Sequence, residues 1–144
     1  MKGADHIELA VSQPLIGVDT GDVRVGIALK PADSIEAEPL GVFPAGPSVM
    51  TQIQKIAQQH DAETVVVGLP RDINGNDTAQ TRKAREFAGE LADDSGLHVI
   101  LFDEFSTSER ARAQLGKASR DQEKRQLDAL AAVVLLDDYM RSMV

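Results

Sequence analysis

Leu15-Ile16-Gly17-Val18-Asp19-Thr20-Gly21-Asp22-Val23-Arg24-Val25-Gly26-Ile27-Ala28-Leu29 is the stretch that decides how this chain folds. Leu15 to Asp19 reads as a short strand and Val23 to Leu29 as a second, joined by the tight Thr20-Gly21-Asp22 connection. Val23, Val25 and Ile27 alternate with Arg24, Gly26 and Ala28, the period-2 pattern of a strand with one buried face. Beyond the loop Pro31-Ala32-Asp33-Ser34, Leu40-Gly41-Val42-Phe43 supplies a third strand that stops at Pro44. Three short, closely linked strands predict an antiparallel meander.

Further along, the periodicity changes. Val49, Ile53, Ile56 and Ala57 recur at helical spacing, predicting an amphipathic helix that ends near His60. Thr64-Val65-Val66-Val67-Gly68-Leu69 is a continuous β-branched run, as expected for a strand covered on both faces and stopped by Pro70. The loop Arg71-Asp72-Ile73-Asn74-Gly75 carries Asn-Gly turn chemistry. Asn76 or Thr78 then caps a helix whose Ala84, Phe87, Ala88 and Leu91 form one stripe and which ends at Gly96. Leu97 to Phe102 reads as another short strand, and Ser106 with Glu109 fits a capping box opening a short helix that stops at Gly116. The last helix runs from about Asp121 to Met140 and is apolar on every face between Leu127 and Leu136 except at Asp128, so it should be sandwiched. Right-handed crossovers make the last two strands parallel to the first. The expected fold is α/β: a mixed five-stranded sheet, three antiparallel strands then two parallel, with helices on both faces. It forms a single domain over residues 1–144, with 1–14 as an N-terminal extension.

Composition limits the chemistry. The 144 residues suit one core, and with 42% hydrophobic and 26% charged residues the chain reads as globular. Aromatics are scarce, so the core must come from Val, Ile, Leu and Ala. The absence of Cys excludes disulfides and thiol chemistry, and His6, His60 and His98 lack the spacing of a zinc site. No apolar run approaches the roughly 20 residues needed to span a bilayer, and no signal peptide is visible, so a cytoplasmic protein without a membrane partner is expected. The net charge of -8 argues against indiscriminate nucleic-acid binding. The basic residues are nevertheless clustered: Arg110, Arg112, Lys117, Arg120, Lys124 and Arg125 in one stretch, Arg82, Lys83 and Arg85 in another. Such clusters also occur on ordinary solvated helix faces.

Three carboxylates stand in water-poor settings: Asp19 between glycines at a strand end, Glu104 after the apolar run that closes in Phe102-Asp103, and Asp128 inside an apolar helix. Burying an isolated carboxylate is costly enough that it takes a proton, a partner or a metal. In the expected sheet, Asp19 and Glu104 fall at the carboxyl ends of parallel strands, where open α/β sheets gather ligands, and Asp128 reaches in from a covering helix. Oxygen-only ligands favour Mg²⁺ or Mn²⁺, and two such ions about 4 Å apart suit phosphodiester cleavage. Asp19 would bridge both ions, with Glu104 and Asp128 each holding one side. Plainer readings remain: Asp19 accepting backbone hydrogen bonds in its turn, Glu104 paired with a neighbouring arginine, Asp128 with a buried one. Asp103 is a second choice, since alternation points it to the other face. Arg24, Arg71, Arg110 and Arg112 are candidates for contacts to a substrate backbone.

Gly17-Val18-Asp19-Thr20-Gly21-Asp22-Val23-Arg24-Val25-Gly26-Ile27-Ala28 resembles the opening motif of the YqgF (RuvX) family. The resemblance continues through Val67-Gly68-Leu69-Pro70 with Asn74-Gly75, Asp103-Glu104 with Thr107-Ser108, and Leu127-Asp128-Ala129-Leu130-Ala131-Ala132, covering roughly residues 15 to 140. It implies an RNase H-like fold and a metal-dependent nuclease, with Asp19, Glu104 and Asp128 as catalytic carboxylates. Proteins of this family are described as Holliday-junction resolvases or as nucleases maturing the 5′ end of pre-16S rRNA. Two positions depart from the family pattern: Val23 stands where a basic residue is usual, and Phe105-Ser106 where Arg-Leu is usual. Losing an arginine beside the metals weakens phosphate positioning, a role left to Arg24.

The expected function is therefore cleavage of structured nucleic acid, foremost 5′ processing of pre-16S rRNA, with four-way DNA as the alternative substrate and a ribosomal precursor as the partner. A non-catalytic RNA- or ribosome-binding module is the competing reading from another class, and a phosphotransferase of the actin-like kind ranks last because 144 residues hold only half of one. Both a monomer and a homodimer are compatible with the sequence, although nicking two strands of a junction needs a symmetric dimer.

Overall fold

Five strands form one sheet in the order β3-β2-β1-β4-β5. The computed structural model describes the backbone of residues 2–104 and 120–143, and the side chains of 7–104 and 129–143. The elements are α1 (Lys2–Ser12), β1 (Leu15–Thr20), β2 (Arg24–Lys30), β3 (Glu38–Pro44), α2 (Pro47–His60), β4 (Thr64–Pro70), α3 (Ala79–Ser95), β5 (His98–Glu104) and α4 (Arg120–Ser142). β1 to β3 pair antiparallel, while β4 and β5 run parallel to β1, as the sequence predicts. The expected short helix between Ser106 and Gly116 lies outside the described residues.

Alternation sorts the side chains into two layers. Ile16, Val18, Val25, Ile27, Val65 and Val67 point to one face and pack on Val49 and Ile53 of α2 and on Ala88 and Leu91 of α3. Leu15, Ala28 and Val66 point to the other and pack on Ala132, Leu135, Leu136 and Tyr139 of α4. The run Val65-Val66-Val67 is fully buried because β4 is covered on both sides. Each such side chain contributes roughly 1.5–3 kcal/mol by leaving water. The apolar belt of α4 is buried from Ala131 through Leu136, which confirms that this helix is enclosed.

Two strand ends need correction, and residues 1–14 carry structure that the sequence leaves unassigned: Lys2–Ser12 forms a helix whose Ala10 joins the α4-side core. Ile7, Ala10 and Val11 supply a helical stripe there, too short to stand out amid Gly3, Asp5 and His6. Glu104 does not follow its strand but ends it, because the ladder with β4 continues to the pair Pro70 and Glu104. Lys30, outside the expected second strand, closes β2 with its side chain fully buried. Its ammonium donates to the carbonyl oxygens of Val11 at 3.0 Å, Pro31 at 2.7 Å and Ser34 at 2.9 Å. Three acceptors match the three protons of the group, which makes the buried charge tolerable. α1 is thereby tied to the end of the sheet opposite the carboxyl ends of β1, β4 and β5.

Candidate active site at the carboxyl edge

Asp19 is the penultimate residue of β1 and lies opposite Gly26 of β2. Gly17, two residues earlier, faces Leu136 of α4, so strand alternation puts position 19 on the α4 face. Gly21 then makes the turn into β2 possible: a Cβ there would stand 2.7 Å from the backbone oxygen of Arg24. The tight connection predicted after Asp19 has this steric basis.

The register carries the same face across the sheet. Val18 pairs with Val67, which sets Asp19 level with Gly68, and Gly68 pairs with Phe102 of β5. Phe102 meets Tyr139 of α4 edge to face, with ring centroids 5.6 Å apart. Glu104, two residues beyond Phe102, therefore shares the α4 face with Asp19, and it is only 8% exposed. Two strand spacings, about 10 Å, separate the strands that carry the two acids. Between them stands Gly68, which puts no side chain in the gap. On α4, Ala132 lies over Gly17 and Leu135 over Gly68. Position 128 precedes Ala132 by one turn, roughly 6 Å nearer the carboxyl edge, on the same stripe. The side chain of Asp128 lies outside the described residues.

The expected basic residues separate. Arg24 opens β2 two residues from Gly26, on the face and edge of Asp19. Arg71 follows Pro70 and turns to the α3 face, where its Nε and Nη2 donate to Asp103 Oδ1 at 3.2 and 3.0 Å and its Nη1 to Asp77. Asp103 is thus on the opposite face from Glu104, as alternation predicts, and is held by an arginine. Arg110 and Arg112, like Phe105, lie outside the described residues. Val23, in place of the usual basic residue, is 69% exposed at the turn beside Asp19.

Sequence reasoning missed the bracing around this edge. Gln80 of α3 donates to the Thr20 carbonyl at 3.1 Å, and the buried Thr81 hydroxyl donates to the Pro70 carbonyl, so the start of α3 is fastened to the ends of both β1 and β4. Thr78 caps α3 in a reciprocal capping box with Thr81, resolving the choice between Asn76 and Thr78. Asp77 is gripped by Arg85 as well as Arg71. The Arg85 hydrogen bond and the charges of Arg85, Arg71 and Arg82 hold its carboxyl below the ordinary value, against a smaller opposing effect of burial. No spacing rule marks partners up to 60 residues apart.

Asp19 and Glu104 supply only oxygen donors, a set suited to a hard divalent cation and not to zinc. The side chains fit such an ion in type, face and edge. Among the described residues no group of three or more acidic or histidine side chains forms a metal site. The side chain of the third expected ligand, Asp128, lies outside the described residues.

Comparisons with known proteins agree with this architecture. The family model described as "RuvX: Holliday junction resolvase" matches residues 13–142. A protein of Rhodopirellula baltica named "Putative pre-16S rRNA nuclease" is 36% identical over 132 residues, spanning 89% of this chain and 76% of its own length. A protein of the same name from Sodalis glossinidius is 32% identical over 136 residues, covering 92% of this chain and 96% of its own. Among solved structures, RuvC of Thermus thermophilus in complex with a Holliday junction superposes with a TM-score of 0.55 at 19% identity, covering 90% of this chain and 96% of that one. That likeness establishes the fold. Among the described residues, no helix is long and apolar enough to cross a membrane.

Proposed function

The chain belongs to the RuvX family of nuclease relatives, and on that premise we propose that it is a metal-dependent nuclease that trims the 5′ end of pre-16S rRNA. The observation that carries this reading is the register that sets Asp19 and Glu104 on one face of the carboxyl edge with Gly68 between them. Asp19, Glu104 and Asp128 would hold Mg²⁺ or Mn²⁺. When bound, such ions lower the pKa of a water and stabilise the leaving oxygen of a phosphodiester. The protein's own part is positioning. β1 and the Gly21 turn fix Asp19, the Pro70–Glu104 end of the ladder fixes Glu104, and Arg24 on the same face orients a phosphate. Arg110 and Arg112 extend the backbone contacts. The rRNA substrate is favoured by the names that relatives at 36% and 32% identity carry.

The test is cleavage with Mn²⁺ of a pre-16S 5′ leader and of four-way DNA, comparing the parent with Asp19→Asn and Glu104→Gln. Cleavage of the leader that disappears in both variants and under chelator is expected. Junction cleavage alone would transfer the assignment to DNA. Binding without cleavage by the parent would leave a non-catalytic RNA-binding module, and cleavage indifferent to chelator would remove the metal from the reading.

A further inference from the structure

Round the carboxyl edge from Asp19 and Glu104, on the α3 face, two guanidinium groups converge on one carboxylate. Arg71 Nη1 donates to Asp77 Oδ1 and Arg85 Nη1 to Asp77 Oδ2. The two cations are brought together around an anion, and that anion belongs to the protein itself. Planar guanidinium forks suit the spread oxygens of phosphate as well as those of a carboxylate. We propose that Arg71 and Arg85 form a phosphodiester-binding fork, that Asp77 occupies it in the free protein, and that a phosphate of the nucleic-acid substrate displaces the Asp77 carboxylate.

Three features support an exchangeable occupant. Arg71 is aimed independently of Asp77, because its Nε and Nη2 edge is held by Asp103. It would keep its direction when Asp77 leaves. The loop that carries Asp77 has its own bracing: Asp72 Oδ1 accepts from the backbone N–H of Asn74 at 2.9 Å and of Asn76 at 2.8 Å. Releasing the Asp77 side chain therefore need not unravel the loop. The Arg85–Asp77 pair is also open to water, with the Asp77 side chain 35% and the Arg85 side chain 41% exposed against 18% for Arg71, and exposed ion pairs exchange cheaply. Asp103 beside Glu104 links the fork to the proposed active site through one backbone step. A strand held at Asp19 and Glu104 would cross the sheet edge to place another phosphate here. Only the identity of the anion rests on the nuclease reading.

The experiment measures binding and not cleavage. Fluorescence anisotropy of a labelled RNA duplex with a 5′ overhang, without divalent metal, is followed against salt for the parent, Asp77→Ala, Arg85→Ala and the double variant. Asp77→Ala should bind several-fold more tightly, with a salt slope steeper by about one phosphate contact. In the Arg85→Ala background the same change should have little effect. Sulfate, as the simplest probe, should raise the melting temperature of the shape-conserving Asp77→Asn more than that of the parent. An equal gain with and without Arg85 would reduce Asp77 to a general repulsive charge and overturn the fork. Unchanged or weaker binding by Asp77→Ala, together with no added sulfate effect in Asp77→Asn, would also overturn it. A protein that fails to cleave can still pass this test, and one that cleaves can fail it.

Discussion

Gly17 of β1 lies directly beneath Leu136 of α4: a Cβ at position 17 would stand 2.6 Å from the Leu136 Cγ and 3.1 Å from the Ala132 carbonyl oxygen. The central strand and the sandwiched helix approach closely because position 17 has no side chain. This approach sets the depth at which α4 crosses the sheet.

Gly17→Ala should therefore lower stability by about 1–3 kcal/mol, the cost of overpacking a tight interior. Chemical denaturation gives the value. Leu136→Ala alone should cost roughly 2–5 kcal/mol by leaving a cavity, and the double variant should cost less than the two together. Strict additivity would mean that the two positions do not share the space.

On the proposed mechanism, Asp128→Asn should abolish cleavage while leaving the melting temperature unchanged or raised, because it would relieve repulsion among carboxylates gathered for a metal. A fall in melting temperature accompanied by retained cleavage would identify Asp128 as half of a structural ion pair.

Lys30→Met should loosen α1. The substitution keeps the length of the side chain but strands the carbonyls of Val11, Pro31 and Ser34, at roughly 1–3 kcal/mol for a group left unsatisfied. Hydrogen exchange should quicken first in residues 7–12. Burial pushes the Lys30 ammonium below its ordinary 10.5, partly offset by Asp33. Between the lowered value and 10.5 the unfolded chain holds more protons than the folded one, so stability owed to this group rises with pH. Lys30→Met should lose that alkaline rise.

The Asp77 carboxyl gives a dependence of the same sign in the acid range. Its pKa is lowered from 3.8, chiefly by the Arg85 hydrogen bond, so its contribution is complete above 3.8 and is lost as pH falls through the lower folded value. Acid titration of stability should show this loss in the parent and not in Asp77→Asn. Added salt should shrink the difference, since the pair is open to solvent.

The sheet was legible because its signals are local and strong. Val65-Val66-Val67 admits few alternatives to a strand covered on both faces, and the alternation after Val23 sets which residues share a face. Alternation alone separates Asp103 from Glu104, whereas the face that Glu104 shares with Asp19 depends on the register carried through β4. What could not be read depends on groups that meet only in space. Lys30 looks like any polar strand end until Val11 and Ser34 are brought to it by α1 and the loop before β3. Arg71 looks like a free phosphate ligand until Asp77 and Asp103 are seen to hold it. α1 was missed because its few apolar positions acquire meaning only against Tyr139 and Met140.

The buried ammonium of Lys30 has a practical corollary for anyone handling this protein. Its three carbonyl partners come from α1 and from the loop after β2, so shortening the chain before residue 15 removes one leg of a tripod on which a charge rests inside the protein. A trimmed version would present Leu15 and Tyr139 to water at the far end of the sheet. Its reduced solubility would mimic a defect at the proposed active site, which lies at the opposite end of the sheet.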